Sequence, residues 1–170
     1  MGVCPQGPRR VNGGAYNRRP VSTPADFPSI VHRFPCQVHW GDCDPAGIIF
    51  YPTYFRWVDA ASWALFESVG YAPQWMRREH LAMPLVSAEC QFLAPAVHGD
   101  RCEVRSRITR FGGKSFIVEH DIVRADETPL AKAKETRVWG RHVGGPGTPM
   151  KGETIPEEVK ARFRAPSPSR

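Results

Sequence analysis

The sequence predicts an α+β fold in which a five-stranded antiparallel sheet packs around one long central helix. Three observations lead to this fold class. Apolar residues recur at three-to-four spacing through 53–69, which indicates a long amphipathic helix. Four segments of strand-like composition follow that helix. The links between these segments, "HGD", "GGK" and "DETP", are short enough to indicate antiparallel hairpins or a meander.

The first strand is expected within 29–40, where Pro35 favours an edge strand or an interrupted one. Pro52 suits the first position of the long helix and Gly70 suits its C-terminal cap. A shorter helix is expected at 73–80. The apolar stripe of the long helix comprises Phe55, Val58, Ser62, Leu65 and Val69, widened by Trp57, Ala61 and Ala64. The later strands are expected at 84–97, 100–111, 114–125 and 129–142.

The chain divides into a central domain and two unusual ends. Residues 1–28 and 145–170 together hold ten of the seventeen prolines and show no sustained hydrophobic period. Both ends are therefore expected to be largely unfolded, apart from a short helix at 156–163. The predicted domain is 29–144, long enough to bury a core of its own.

Composition excludes several classes of protein. Of the 170 residues, 41% are hydrophobic, and no apolar run approaches the ~18 residues of a membrane span. The first residues lack the apolar region of a secretory signal, so the expected location is the cytoplasm. The five cysteines form no CxxC pair and show no zinc-type spacing with histidine, which predicts buried free thiols and no metal site.

The net charge of +6 lies mostly in the two ends, because residues 1–26 carry +3 and residues 151–170 carry +2. A folded nucleic-acid-binding protein would more often concentrate its basic residues on one face or helix. We therefore expect neither nucleic acid nor membrane as a partner.

The stretch "GDCDPAGIIFYP" at 41–52 carries the most chemistry. Backbone N–H groups near Ile49 to Tyr51 are expected to be unpaired at the positive end of the helix dipole, which suits an oxyanion. Asp44 could supply a base or a nucleophile there. The alternative is that Asp42 and Asp44 only shape a turn or cap a helix. Cys43 is better explained as a packed thiol, because its acidic neighbours would suppress the thiolate.

Other candidates also have structural explanations. "GGKS" at 112–115 lacks the first glycine and the helix of a nucleotide-binding loop, but a hairpin there could present Lys114 and Ser115 to a phosphate. An ordinary exposed turn fits equally well. His120 is expected to be a satisfied core histidine. Trp63 and Trp75 could line an aromatic pocket, although core packing explains each of them.

The segment "HWGDCDPAGIIFYPTYFRWVDAASWALFESVG" at 39–70 closely resembles the opening motif of hotdog-fold acyl-CoA thioesterases of the 4-hydroxybenzoyl-CoA thioesterase type. Weaker similarity continues through "PLVSAECQF" and "GKSF", so the likeness covers about 31–140. The resemblance implies the hotdog fold, in which a curved antiparallel sheet wraps one long helix. It also implies homodimers, commonly joined into tetramers, with active sites built by both chains.

The resemblance assigns roles to particular residues. The family's catalytic carboxylate falls on Asp44, and the backbone N–H that polarises the thioester carbonyl falls on Tyr51. The basic contact to the CoA phosphates matches Lys114, with Ser115 adjacent. Asp59 matches a family carboxylate near the acyl pocket, and Trp75 lies near a family tryptophan there. Gly112 and Gly113 stand where a family member has two arginines.

The implied function is hydrolysis of an acyl-CoA thioester, with 4-hydroxybenzoyl, other aromatic and short-chain acyl groups as candidates. Asp44 would act as nucleophile or general base, and the sequence does not choose between them. No cofactor is expected, since coenzyme A is part of the substrate. The alternative is a non-catalytic hotdog protein that binds acyl-CoA as a sensor or partner module.

Overall fold

The computed structural model describes residues 25–145 and 147–165. Its main sheet has five strands in the order β1-β4-β5-β6-β3, and every neighbouring pair is antiparallel. The α+β class and the five-stranded antiparallel sheet are thus confirmed. A small second sheet has the order β2-β7-β8. The elements are β1 (His32–Gln37), α1 (Tyr51–Ser68), α2 (Pro73–Arg78), β2 (Leu81–Ala82), β3 (Leu85–Phe92), β4 (Arg101–Phe111), β5 (Ser115–Arg124), β6 (Pro129–Val138), β7 (Gly140–His142), β8 (Met150–Gly152) and α3 (Glu157–Arg162).

The long helix α1 begins at Tyr51, two residues before the predicted start. Phe50 keeps an extended backbone as the N-cap, so Pro52 occupies the second helical position and not the first. A proline is tolerated there because its missing N–H would have no partner within the helix. Gly70 follows the C-cap with φ +93, the left-handed conformation that glycine adopts without strain.

The buried face of α1 agrees with the predicted stripe at Val58, Ser62 and Leu65, and with its widening at Ala61. It also includes Tyr54 and Phe66, which were not predicted, whereas the predicted side chains at 55, 57, 64 and 69 are only half-buried. Helical periodicity identifies an apolar face, but α1 is apolar over so wide an arc that only the surrounding sheet selects the innermost stripe.

Two predicted strands are shorter in the structure. The strand expected at 84–97 ends at Phe92, before Pro95, which cannot donate to a sheet ladder. The strand expected at 129–142 is interrupted at Trp139 and gives β6 and β7, which belong to different sheets. The predicted edge position of Pro35 is correct, because β1 is the first strand of the main sheet.

The C-terminal boundary predicted at 144 is wrong, because the chain beyond it packs on the core. Ile155, Val159 and Phe163 are almost fully buried, and the ring centroid of Phe163 lies 4.7 Å from that of Phe66. The predicted short helix is present as α3. Most of the predicted N-terminal tail lies outside the described residues, but Phe27 already stacks on Phe111 at 5.5 Å. A few buried apolar side chains are therefore enough to hold these terminal segments against the core, although the overall composition of the segments does not predict that they fold.

The core consists of two apolar clusters with a row of buried polar residues among them. One cluster surrounds Phe66 at the C-terminal half of α1, and the other surrounds Val58 near its start. The polar row comprises Ser62, Ser106, His120, Glu135 and Arg137. His120 is buried as expected but only partly satisfied: its Nδ1 lies 2.8 Å from the Ser106 hydroxyl, whereas its Nε2 lies 3.6 Å from Glu135 and makes no hydrogen bond to the described residues.

The second edge of the main sheet, β3, carries exposed apolar residues. Leu85 is 50% exposed, Val86 64% and Phe92 50%. An apolar edge strand with unpaired backbone groups is a template for pairing with another strand.

No helix in the described residues is long and apolar enough to cross a membrane. The four cysteines of the described residues are free thiols.

Candidate active site

The acidic loop is held in shape by Asp44 itself. Its Oδ1 accepts a hydrogen bond of 2.8 Å from the Ala46 N–H, and its carbonyl accepts one of 2.9 Å from the Gly47 N–H. Gly47 has φ +76, which makes glycine the favoured residue at this turn. The Asp44 N–H closes the loop by donating to the Ile48 carbonyl at 2.9 Å. The side chain is thereby fixed before any ligand arrives.

Asp42 has a structural role, which was the alternative considered for both carboxylates. Its Oδ2 accepts the His39 N–H at 2.9 Å, and its Oδ1 pairs with Arg56 of α1 at 2.7 Å. Both oxygens are therefore occupied. Cys43 packs half-buried beside the apolar cluster near Val58, as expected for a packed thiol.

Of the three N–H groups predicted to be unpaired near the helix start, at 49–51, two are paired within the described residues. The Ile49 N–H donates to the Ala96 carbonyl at 2.9 Å, and the Phe50 N–H donates to the Asp42 carbonyl at 2.7 Å. Tyr51 is the first residue of α1, so its N–H has no acceptor within the helix. Its position at the positive end of the helix dipole favours a partial negative charge beside it.

Asp44 and Tyr51 line the same groove, which has a volume of about 410 Å³. The Asp44 Oδ2 makes no hydrogen bond to the described residues and is free to act on a ligand. Burial raises the pKa of Tyr54, another residue of this groove, to about 12, so its phenol stays neutral. The remaining walls are apolar: Ile48, Ile49, Phe92, Leu93, Ala94 and Pro95.

The groove walls contributed by the end of β3 were missed from the sequence. Leu93 and Pro95 stand about 50 residues after the acidic loop, and only the fold brings them beside it. A contact between the Ile49 N–H and the Ala96 carbonyl fixes this approach. The sequence feature that could have indicated this wall is the apolar run "FLAPAV" at 92–97, which continues past the strand and ends in a turn.

Lys114 and Ser115 do not lie in this groove of the same chain. Phe92 of the groove pairs with Ala131 of β6, and Ala131 pairs in turn with Ile122 of β5. Ser115 is the first residue of β5, and its distance from Ile122 along the strand is about 24 Å. Lys114 is exposed at the other end of the sheet.

Asp59 and Trp75 likewise do not line the groove of the same chain. Asp59 lies two turns along α1, and its Oδ1 pairs with the buried Arg137 at 2.6 Å. Trp75 lies in α2 and packs its ring against Tyr71 with centroids 5.5 Å apart. Sequence reasoning missed Arg137, because a buried arginine in a strand gives no local signal of its partners.

Comparisons with known proteins agree with this architecture. Residues 38–163 match the model of the thioesterase-like superfamily, so the match includes the C-terminal segment. The 4-hydroxybenzoyl-CoA thioesterase of Pseudomonas sp. strain CBS-3 is 34% identical over 116 residues, which cover 64% of this chain and 82% of that protein. The 1,4-dihydroxy-2-naphthoyl-CoA hydrolase of Synechocystis sp. is 30% identical over 111 residues, 59% of this chain and 73% of that protein.

A solved structure gives the same fold. It is a variant 4-hydroxybenzoyl-CoA thioesterase complexed with 4-hydroxybenzoyl-CoA, 27% identical, with a TM-score of 0.71 over 78% of this chain and 98% of that one. The family match spans well over half of the chain. Its fold, its acidic loop and these similarities together show that the chain belongs to the thioesterase-like superfamily of hotdog-fold proteins.

Proposed function

We propose that this protein hydrolyses an acyl-CoA thioester to a free acid and coenzyme A. The observation that carries the proposal is the groove lined both by Asp44 and by Tyr51, the first residue of α1. A thioester carbonyl seated there would meet a nucleophile or base and an oxyanion donor within one small volume. The relatives described above carry names of thioester hydrolases, in agreement with this reaction.

Two routes use the same groups. In the first, Asp44 Oδ2 bonds to the carbonyl carbon, the carbon–sulfur bond breaks, and coenzyme A leaves as a thiolate that takes up a proton. Water then hydrolyses the mixed anhydride and regenerates the carboxylate. In the second, Asp44 removes a proton from a water molecule that attacks the carbonyl carbon directly; the carbon–sulfur bond then breaks, and the coenzyme A thiolate takes up the proton that Asp44 holds. In both, the Tyr51 N–H stabilises the negative charge on the carbonyl oxygen, and neither needs a metal or redox cofactor.

The proposed working unit is a homodimer formed through β3, with tetramers as dimers of dimers. The support is the exposed apolar edge at Leu85, Val86 and Phe92. In a two-fold pairing of antiparallel edges, the Leu85 end of one copy lies beside the Phe92 end of the other. Lys114 of a second copy would then approach the groove and meet the phosphates of coenzyme A.

The proposed substrates are aromatic acyl-CoAs such as 4-hydroxybenzoyl-CoA, together with short-chain acyl-CoAs. The groove walls are apolar and include Tyr54 and Phe92, which suit a planar group. The proposed compartment is the cytoplasm, where reducing conditions keep thiols such as those of the free cysteines unpaired.

The test is thiol release from a panel of aromatic, short-chain and long-chain acyl-CoAs by the wild type and by Asp44→Asn. Turnover should fall by at least about a hundredfold in the variant, because the amide is neither a nucleophile nor a base. Glu157→Gln, at an exposed carboxylate of α3, is the matched control and should keep full activity. Unchanged turnover in Asp44→Asn would disprove the role of Asp44.

A titration of acyl-CoA separates catalysis from binding alone. Tight binding without thiol release from any substrate would show the non-catalytic alternative, in which the groove serves a sensor or partner module. In Asp44→Asn, binding of acyl-CoA should persist while turnover is lost, because the groove walls are unchanged.

A further inference from the structure

A second cavity, of about 400 Å³, lies beside the C-terminal half of α1. Its wall is apolar and is formed by Trp63 of α1, Met76 of α2 and Leu81 of β2. An aromatic ring or a short hydrocarbon chain would find contact on several sides there. The reaction proposed above uses none of these three side chains.

The rim of the cavity is cationic. Arg77 lines it and makes no ion pair or hydrogen bond through its guanidinium to the described residues. Glu79, two residues after Arg77, pairs with Arg78 at 3.4 Å, and Glu153 pairs with Arg141, the residue before His142, at 3.1 Å. The cavity lining therefore contains a positive charge and no carboxylate.

Two histidines complete the rim. His80 adopts φ +56 directly after the C-cap of α2, a left-handed position where glycine would be unstrained. The His142 N–H donates to the His80 carbonyl at 2.8 Å, which places the two residues side by side. His142 Nδ1 lies 3.0 Å from the Thr148 carbonyl, so Nδ1 carries a proton and Nε2 is the nitrogen left for a ligand, to which it donates only when the ring is doubly protonated.

We propose that this cavity binds an organic anion with an apolar body of about the size of a benzene ring and one carboxylate. The apolar body would fill the wall at Trp63, Met76 and Leu81. The carboxylate would pair with the free guanidinium of Arg77. The planar guanidinium suits this role because it can donate two parallel hydrogen bonds to one carboxylate. His80 and the doubly protonated form of His142 would supply the remaining polar contacts.

The cavity is separate from the Asp44 groove of the same copy. Trp63 follows Tyr51 by twelve positions of one helix, about 18 Å. The anion could therefore come from two sources. One is a free carboxylic acid. The other is the far end of a dicarboxylic acyl group whose thioester lies in the groove of a second copy, a source that rests on the proposed function and its dimer.

Binding is tested first without turnover, by calorimetric titration of the full chain with benzoate and with benzamide, its neutral counterpart of equal size. Benzoate should bind and benzamide should bind at least about tenfold more weakly, because a hydrogen-bonded charge is lost. Arg77→Met should lower benzoate affinity by about the same factor. Arg164→Met, at an exposed arginine of the C-terminal segment, is the control for a general loss of positive charge and should leave it unchanged.

The source is assigned by comparing hydrolysis of 4-carboxybenzoyl-CoA and benzoyl-CoA. A preference for the carboxylated thioester that disappears in Arg77→Met identifies the anion as part of the substrate. Benzoate binding that depends on Arg77, without such a preference, identifies a free acid.

Equal affinity for benzoate and benzamide, or unchanged benzoate affinity in Arg77→Met, would overturn the proposal. His142→Phe gives a second reading at a residue on another element and should also weaken benzoate binding. If no thioester were hydrolysed, the proposed function would fail, while the calorimetric result for the cavity would stand by itself.

Discussion

Arg137 Nη2 lies 2.6 Å from Asp59 Oδ1, so a buried guanidinium of β6 reaches a carboxylate of α1 whose side chain is 57% exposed. The same guanidinium binds Glu135 through Nε and Nη2, each at 2.9 Å, and the Ser62 hydroxyl donates to Glu135 at 2.6 Å. The sheet and the helix are therefore joined by buried charges as well as by apolar contacts. Such a group stabilises the fold only while its members stay paired.

Glu135 should make stability depend on acid pH. Burial alone would raise the pKa of Glu135, but its neighbours His120, Arg137 and Ser62 outweigh burial and lower it to about 2. The ordinary value is 4.5, so the stabilisation is complete above about pH 4.5 and is lost as the pH falls towards 2. It amounts to about 3 kcal/mol. Urea unfolding between pH 7 and pH 2.5 should show this loss in the wild type and a flatter profile in Glu135→Gln. Parallel profiles would contradict the assignment.

Tyr51→Pro should remove the oxyanion donor while preserving α1. Proline is favoured at the first helical position, and the extended Phe50 before it, with φ −67 and ψ 125, accommodates it. The turnover number should fall about 10²- to 10³-fold, as when one oxyanion donor is lost. Tyr51→Phe keeps the N–H and should retain most of the activity. Circular dichroism checks that both variants are folded, and equal turnover in the two would exclude this N–H from catalysis.

Asp42→Asn should differ sharply from Asp44→Asn although the two carboxylates are two residues apart. Asparagine can still accept the His39 N–H, and the lost ion pair is with Arg56, whose side chain is 67% exposed. We expect a stability loss of about 0–1 kcal/mol, measured by urea unfolding, and activity within a few-fold of the wild type. A loss of turnover as large as that of Asp44→Asn would assign a catalytic part to Asp42.

Lys114→Met should raise KM for acyl-CoA by several-fold and leave kcat nearly unchanged. The reason is that the proposed contact is with the phosphates of coenzyme A, far from the reacting carbonyl, and contributes equally before and during the reaction. The same acyl group carried on N-acetylcysteamine has no phosphates, and its KM should not change. Lys160→Met, in α3, serves as the control for a general loss of charge. An equal effect on both thioesters would place Lys114 elsewhere in the mechanism.

Phe163→Ala should destabilise the whole domain. Phe163 is fully buried and its ring centroid lies 4.7 Å from that of Phe66 at the centre of one apolar cluster. The expected loss is about 3–5 kcal/mol in the free energy of unfolding. Arg164→Ala, at the exposed neighbouring residue, should change it by less than about 0.5 kcal/mol. Similar midpoints for both variants would mean that the C-terminal segment contributes little to stability.

Several features of the fold could be predicted because their signals are local. The period of 53–69, the alternation within later segments and the short links between them depend only on near neighbours in the chain. The acidic loop is equally local, since its turn is closed by hydrogen bonds of Asp44 to residues at most four positions away. For these parts, the sequence was sufficient to give both the element and its place in the order.

The rest depended on contacts between distant residues, which a single sequence does not contain. Arg56 pairs with Asp42, whereas Asp44, which lines the groove, keeps one carboxylate oxygen without a hydrogen bond in the described part of the chain. The groove wall from Phe92 to Pro95, the buried pair Arg137–Glu135 and the burial of Phe163 arise in the same way. By itself the sequence determined which residues could do chemistry and on which elements they lie. Only the tertiary structure decided which of them meet, because burial and pairing are properties of the packed chain.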